Sequence, residues 1–322
     1  MSDIWDCVIA GGGAAGLSAA LVLGRARRRT LLIDQGEQSN RSSHGIGGLL
    51  GHDGRPPTEL YSVGRTELAK YPSVDVLDTE IIGAQSGFVV ELADGRRERS
   101  RTVLLATGMK YRWPRIPGLD ELWGRSVFHC PFCHGWEVRD RPLAVVANGE
   151  RAIHSALLLR GWSADIVILT NGRAAFDSEQ YRLLDTAGMP VDERPIAEFR
   201  SFAGELAAIV FRDGSRIARA GALVETTMHQ CSTLVAQLGV VVSAASPVAT
   251  QAVVVDAFQR TSVPGVFAAG DIAAQMPQVA AAVSSGSLAG AAIVQALLNG
   301  DVGLPTPPWP TFTERGSEHA AA

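Results

Sequence analysis

Asp6-Cys7-Val8-Ile9-Ala10-Gly11-Gly12-Gly13-Ala14-Ala15-Gly16-Leu17 is the stretch on which the fold turns. A short apolar run, a G-x-G-x-x-G turn and a helix-forming segment to Leu23 follow without a gap, the context that gives the glycine spacing meaning. Gly11 permits a tight turn, Gly13 lets backbone approach a pyrophosphate, and Gly16 lets strand and helix pack closely. Ala14 and Ala15 open the helix whose N-terminus would hold the anion. The next apolar run, Thr30-Leu31-Leu32-Ile33, ends in Asp34, where an acid accepts hydrogen bonds from ribose hydroxyls. Strand, glycines, helix, strand and acid in that order predict a βαβ dinucleotide-binding unit and an α/β protein. Cys7, inside the first strand, reads as a buried core residue.

Downstream, residues 35–57 form a loop rich in glycine (Gly45, Gly47, Gly48, Gly51, Gly54) that could wrap a ligand, with His44 and His52 on it. Thr58 to Tyr71 reads as a helix, and Phe88 to Leu92 as a strand that Asp94-Gly95 turns into a hairpin. Thr102 to Leu105 is a buried strand ending in the turn Ala106-Thr107-Gly108, and Trp113 to Gly118 is a proline-rich crossing and candidate domain boundary. Pro142 to Val146 then opens a second unit of the same kind, but its glycines fail, because Ala147 stands where the first should be. The following strand, Ile166 to Leu169, ends in Thr170-Asn171-Gly172-Arg173, with no acid for a ribose and no arginine cluster for a 2′-phosphate. Val253 to Asp256 reads as a strand, and Ser262 to Asp271 as another that delivers Gly270-Asp271. Four prolines after Gly300 lead to a loosely ordered tail ending in three alanines.

Length and composition bound the function. A chain of 322 residues suggests two domains, each able to bury a core. With 19% charged residues and a net charge of −4, it has no basic surplus for nucleic acid and no polybasic run for a membrane surface. Four cysteines and acids at the N-terminus argue for a soluble protein of the reducing cytoplasm. Ile272 to Gly300 carries no charge and is long enough to span a bilayer, yet its alanines, glycines, serines and glutamines fit a helix packed closely on a backbone or a flat ligand.

The chemistry gathers at His129-Cys130-Pro131-Phe132-Cys133-His134-Gly135. If a helix starts here, Cys130 is exposed at its N-terminus and Cys133 lies one turn in, and the helix dipole favours the thiolate. Pro131 suits a first turn. Half a zinc site is the bland alternative, but the other cysteines, Cys7 and Cys231, are isolated, which favours a redox dithiol.

Together these motifs resemble the flavin-dependent low-molecular-weight thioredoxin reductase family over nearly the whole chain. The resemblance is carried by Gly11-x-Gly13-x-x-Gly16 with Asp34, by Ala106-Thr107-Gly108, by Cys130-x-x-Cys133, and by the run from Pro264 to Asp271. It implies an α/β fold of two Rossmann-like, three-layer dinucleotide-binding domains. The first FAD-binding segment would be 1–114. An inserted pyridine-nucleotide-type domain, 115–228, would carry the dithiol and a degenerate nucleotide site. Residues 229–322 would complete the FAD-binding domain and the tail. FAD would be held by Gly11, Gly13, Ala14, Ala15, Gly16, Asp34, Ala106, Thr107, Gly108, Gly270 and Asp271, with Gln278 and Val279 near the isoalloxazine edge. The uncharged helix would pack beneath the flavin, and the family implies a homodimer.

Departures from the family refine the expectation. His134 replaces an acid after the second cysteine, and the intact glycine turn and basic cluster for NADPH are missing. Cys-Pro-Phe-Cys-His-Gly, with Ser43-His44 and Asp53-Gly54, is similar to the branch of dithiol oxidases from gliotoxin, holomycin and romidepsin-type biosynthesis. That resemblance implies a small-molecule dithiol as substrate, O₂ as electron acceptor and H₂O₂ as product. Cys130 would be attacked by a substrate thiolate, and Cys133 would be the sulfur nearer the flavin. His134 would serve as base and acid, since an imidazole titrates near neutrality, and His129 would tune the thiolate by a nearby charge. The alternatives are an NAD(P)H-dependent disulfide reductase, a ferredoxin-fed enzyme, or a non-catalytic FAD redox sensor.

Overall fold

The computed structural model describes residues 4–85, 87–246, 248–274, 276–305 and 307–312. The alanine tail and Gln275, one of the glutamines of the uncharged run, lie outside the described residues. In chain order the first elements are β1 (Ile4–Ala10), α1 (Ala14–Arg25), β2 (Thr30–Asp34), α2 (Pro57–Leu68), β3 (Val74–Asp78), β4 (Ile81–Gln85), β5 (Val89–Leu92), β6 (Arg97–Leu105) and β7 (Met109–Arg112). Then come β8 (Val127–Phe128), α3 (Pro131–His134), β9 (Leu143–Val146), α4 (Gly149–Leu159), β10 (Ile166–Leu169), α5 (Ser178–Thr186), β11 (Val191–Asp192), β12 (Ile196–Phe202), β13 (Glu205–Phe211), β14 (Arg216–Ala218) and β15 (Gly221–Val224). The chain closes with β16 (Thr227–Gln230), α6 (Leu234–Gln237), β17 (Val266–Ala268) and α7 (Val279–Val302).

These elements form two compact units. One draws on the segments Met1–Arg41, Pro57–Tyr111 and Thr227–Ala322, the other on Ser42–Pro56 and Arg112–Thr226. The domain division expected from the sequence left residues 42–56 with the first segment. The loop instead belongs to the second unit, because its backbone lies directly on that unit's own turns: a Cβ on Gly47 would sit 2.8 Å from the Cys133 carbonyl oxygen, and one on Gly124 would sit 2.6 Å from Ser42 Oγ.

In the first unit, β3, β2, β1 and β6 run parallel, and β5 and β4 add antiparallel strands beyond β6. β6 pairs β5 through Arg97–Arg99 and β17 through Val103–Leu105, so one long strand brings the distant β17 into the sheet. Both faces of the central strands are covered, and this explains their continuous apolar runs. Cys7, Ile9, Leu32, Leu104 and Phe267 face α1 and α7, while Val8, Ala10, Leu31, Val103 and Val266 face a core that includes Val90, Leu92, Met228 and Val253. Each fully buried valine, leucine, isoleucine or phenylalanine among them contributes about 1.5–3 kcal/mol.

α7 is long and apolar enough to cross a membrane by length and composition. Its small residues serve contact with α1: a Cβ on Gly286 would lie 2.1 Å from the Ala15 carbonyl oxygen, and one on Gly290 would lie 3.0 Å from that of Ala19. Val253–Asp256 is not a strand. Val253 makes one isolated bridge to Val242, and the Asp256 carboxylate accepts hydrogen bonds from the backbone N–H groups of Phe258 and Arg260 at 2.9 Å, folding the segment into a turn.

In the second unit a five-stranded parallel sheet in the order β11-β10-β9-β15-β8 is accompanied by an antiparallel sheet β12-β13-β14. The dithiol follows β8 directly.

Candidate functional site

The dithiol in the second unit begins where β8 ends. Cys130 is the N-cap of α3, with extended backbone (φ −122°), and Pro131 takes the first helical position as its fixed φ and missing N–H favour. The backbone N–H groups of Cys133 and His134 both donate to the Cys130 carbonyl at 3.2 Å, placing Cys133 one turn in. Both thiols are unbridged and half-buried. Among the described residues no cluster of His, Cys, Asp and Glu could hold a metal ion.

The Cys130 thiol is drawn below its ordinary value first by a hydrogen bond from the Cys133 side chain, then by the backbone N–H groups of Cys133 and Phe132, against desolvation. The sequence pointed to a helix dipole as the cause. α3 is only four residues long, so its aligned peptides sum to little, and the neighbouring thiol is the largest single influence.

His134 closes α3 and stacks on Phe128, with ring centroids 5.6 Å apart and planes 11° from parallel. Its Nε2 lies 3.1 Å from the Gly124 carbonyl oxygen and 3.3 Å from Ser43 Oγ, and its Nδ1 is buried without a hydrogen-bond partner. Burial lowers its pKa, and Glu137 and the carbonyls of Gly124 and Cys130 oppose that shift. His129 stacks on Trp123 at 5.7 Å. Burial pushes its pKa down to about 4, with His134 adding to the effect, so the nearby charge expected to tune the thiolate is absent at neutral pH.

The loop 42–56 that bears Ser43 is closed on itself by Ile46 N–H to Arg55 O (2.9 Å) and Gly54 N–H to Ile46 O (2.8 Å). Ile46 anchors it by burial. His44, on the same loop, is exposed and lies 3.6 Å from Glu205. His52 Nδ1 is buried and unpartnered.

The first unit holds the glycine turn. Gly11 has φ +109°, and a Cβ there would lie 2.3 Å from the Ala106 carbonyl oxygen, which brings the Ala106-Thr107-Gly108 turn against it. A Cβ on Gly16 would lie 1.9 Å from the Gly11 carbonyl oxygen, whereas one on Gly13 would meet nothing nearer than Gln38 at 3.7 Å. α1 therefore begins at an open face, with no side chain capping its first N–H groups. Thr107 Oγ1 is buried without a partner beside this turn. Gly270 (φ +81°) packs on Ala15, its N–H donating to Ser285 Oγ of α7 at 3.0 Å, and the adjoining Asp271 is buried so deeply that its pKa rises to about 6. Gln278 is the N-cap of α7 and Val279 its first residue.

Asp34 ends β2 nearly buried. Its carboxylate accepts from Gly36 N–H (3.1 Å), from Gln38 Nε2 forked across both oxygens (3.1 Å each) and from Arg65 Nη2 (2.6 Å). A ribose hydroxyl could replace one arm of the Gln38 fork. An uncapped helix N-terminus, an orphaned buried hydroxyl and a buried acid are the donor and acceptor set that FAD requires, and the residues fit it.

The corresponding turn of the second unit is closed. Asn148 caps α4, its side-chain oxygen accepting from Gly149 N–H and Ala175 N–H at 2.8 Å each, while its amide donates to the Arg173 carbonyl at 3.0 Å. The Glu225 carboxylate accepts from the Asn148 N–H at 3.4 Å and from Arg151 at 2.8 Å. A carboxylate and a side-chain cap thus stand where a pyrophosphate would meet the helix.

Sequence reading missed Ser43 and Gly124 as partners of His134, Gln38 and Arg65 as partners of Asp34, and Glu225. Only Glu225 carried a usable signal: an acid directly after the apolar run Ala222-Leu223-Val224, at the carboxyl end of a strand beside β9. Cys231, left without a role, lies 3.1 Å from the Thr107 carbonyl oxygen.

Comparison with known proteins identifies the family. The pyridine nucleotide-disulphide oxidoreductase family matches residues 5–286. Thioredoxin reductase tcpT of Claviceps purpurea is 33% identical over 308 residues, covering 90% of this chain and 93% of that protein. Among solved structures, an oxidoreductase from Agrobacterium tumefaciens is 37% identical with a TM-score of 0.85, covering 92% of this chain and 99% of the other. The crystal structure of HlmI is 34% identical with a TM-score of 0.84, covering 94% and 95%. With its two Rossmann-like units, its cradle for FAD and its paired cysteines, the chain belongs to the pyridine nucleotide-disulphide oxidoreductase family, as a thioredoxin reductase-like disulfide oxidoreductase with FAD as its cofactor.

Proposed function

We propose that the chain is an FAD-dependent dithiol oxidase that closes a disulfide in a small-molecule dithiol, with O₂ as the final electron acceptor. The observation that carries this reading is the contrast between the two helix N-termini: α1 is uncapped, whereas α4 is capped by Asn148 and faced by Glu225. A nicotinamide nucleotide would have to displace the Asn148 cap, about 1 kcal/mol, and disturb the Glu225–Arg151 pair before its pyrophosphate could meet the helix. Electrons then have to enter through the thiols.

In the proposed reaction the Cys130–Cys133 disulfide is attacked at Cys130 by one substrate thiolate, which joins substrate to Cys130 and releases Cys133 as a thiolate. The second substrate thiolate attacks its partner sulfur in that mixed disulfide, closes the product disulfide and releases Cys130. The substrate loses two electrons and two protons, and the enzyme pair gains the electrons. His134 takes and returns protons at this pair, because it is neutral at pH 7 and its Nδ1 is unpartnered. FAD, when bound, supplies the two-electron acceptor that restores the Cys130–Cys133 disulfide and passes the electrons to O₂ as H₂O₂. Cytoplasmic residence and a homodimer belong to the same proposal.

An NAD(P)H-dependent reductase is the second reading, favoured by the intact β9–α4–β10 frame. An anaerobic titration separates the two. Flavin bleaching by a small dithiol such as dithiothreitol, reversed by air with peroxide formed and not reproduced by NADH or NADPH, is expected. Rapid bleaching by either nucleotide, coupled to reduction of a disulfide, would overturn the proposal.

A further inference from the structure

The surroundings of His134 fix which of its nitrogens carries the proton. The Gly124 carbonyl oxygen can only accept, so Nε2, 3.1 Å away, must donate. Ser43 Oγ lies 3.3 Å from the same nitrogen, and its own hydroxyl proton is directed to the Gly45 carbonyl oxygen at 2.7 Å. That hydroxyl therefore presents a lone pair, not a proton, to the ring. Nε2–H is forked between two acceptors, while Nδ1 is buried with no hydrogen bond made, and the Cys130 carbonyl is a further acceptor that favours the ring once it is doubly protonated. The same acceptors persist when the ring takes a proton at Nδ1, so the lock serves both charge states.

The fold explains why these acceptors converge. Gly124 (φ +78°) touches the loop 42–56 so closely that a Cβ would lie 2.6 Å from Ser42 Oγ and 3.3 Å from Ser43 N. Gly47 of the same loop lies on the Cys133 backbone. One glycine-rich loop thus rests on the helix of the dithiol and on the turn that precedes it.

We infer that Ser43, held by Gly45 on this loop, is a positioning residue that locks His134 with Nε2 protonated, leaving Nδ1 as the basic atom of the site. The inference rests on the proposed proton-transfer role of His134 for its consequence, but the lock itself is independent of substrate. The titratable groups around the ring are Glu137 along the same segment, His129 before it, and His44 of the loop, which in turn lies 3.6 Å from Glu205.

The test uses the FAD-loaded protein with ¹⁵N-labelled histidine, His134→Gln serving to assign the resonance. Long-range ¹H–¹⁵N correlation distinguishes a protonated from a bare ring nitrogen. In the wild type, above the titration of His134, Nε2 is expected protonated and Nδ1 bare. Ser43→Ala is expected to lower that tautomer ratio about fivefold, one neutral hydrogen bond's worth (about 1 kcal/mol), and Ser43→Thr to restore it. Ser43→Ala should also lower the rate of anaerobic flavin bleaching by a dithiol at saturation, with little change in the concentration needed for half-saturation. A proton on Nδ1 in the wild type, or an unchanged tautomer ratio in Ser43→Ala, would overturn the inference. A locked tautomer in a protein whose flavin no dithiol bleaches would sink the oxidase reading and leave the lock standing.

Discussion

Replacing Cys133 with alanine isolates what activates Cys130. The Cys133 side chain is the largest influence holding the Cys130 thiol low, ahead of the two backbone N–H groups. A hydrogen bond to a charged group is worth about 1.5–3 kcal/mol, so losing the donor disfavours the thiolate relative to the thiol by about 10- to 100-fold. Thiolates of higher pKa are better nucleophiles, with a Brønsted slope of about 0.45, so roughly half of the logarithmic loss is recovered. The net expectation is alkylation of Cys130 about 4- to 15-fold slower at pH 7, with the midpoint of its pH profile displaced upward. The assay is the pH dependence of iodoacetamide labelling of the reduced protein, followed by mass spectrometry on the peptide that carries Cys130. Cys7, whose thiol burial pushes to about 12, and Cys231, also raised by burial, stay largely silent there. Cys133→Ser keeps a donor and should retain most of the depression. An unchanged midpoint in Cys133→Ala would show that the start of α3, not the neighbouring thiol, sets the reactivity.

Arg65→Ala removes the cation on Asp34; because Arg65 is about one-third exposed, the loss should be near 1 kcal/mol, and FAD should bind about fivefold more weakly by fluorescence titration. Asp271 has a raised pKa in the folded chain, so its stabilising effect is complete below about 3.8 and is lost as pH rises through about 6. Asp271→Asn should therefore stabilise the flavin-stripped protein increasingly between pH 4 and 7, by an order of 3 kcal/mol at the top, read from melting temperatures; a gain that shrinks with pH would contradict the burial argument. Gly286→Ala should force α7 off α1, since no relaxation short of a backbone shift clears 2.1 Å, costing at least about 1–3 kcal/mol in urea unfolding. Glu225→Gln should strengthen NADH binding to the second unit, and no change there would remove the electrostatic part of the case against a nicotinamide donor.

The residues whose identity is dictated by backbone geometry were legible in the sequence. Gly11 and Gly16 are required because any side chain would strike Ala106 or Gly11, and an alignment-free reading of their spacing recovers both the turn and the parallel sheet it joins. Burial of β1 on both faces, with Cys7 and Ile9 on one and Val8 and Ala10 on the other, was equally plain as a continuous apolar run. Partners that act through space were not. Nothing in Ser43 or Gly124 as letters announces His134, because 91 residues separate serine from histidine and the loop that joins them was legible only as glycine-rich. The strand expected at Val253–Asp256 failed for a related reason: the acid at its end closes a local turn with its own backbone, a competition that apolar periodicity does not register.

The two βαβ units make the functional reading a matter of helix ends and not of fold. Both have a parallel strand feeding a helix, and in both the first residues after the strand decide what the helix N-terminus meets. In the first, the N-cap is Gly13 and no side chain caps the free N–H groups, so they stand open to an outside anion. In the second, the Asn148 side chain accepts from the first of them, Gly149 N–H, and ties the neighbouring loop through Ala175 and Arg173, while Glu225 and Arg151 neutralise one another beside the cap. Restoring a nucleotide there would require giving up the side-chain cap, about 1 kcal/mol, together with the Glu225–Arg151 pair before any new contact forms. The asymmetry is therefore energetic as well as geometric, and it is the support for the proposed entry of electrons through Cys130 and Cys133 and not over α4.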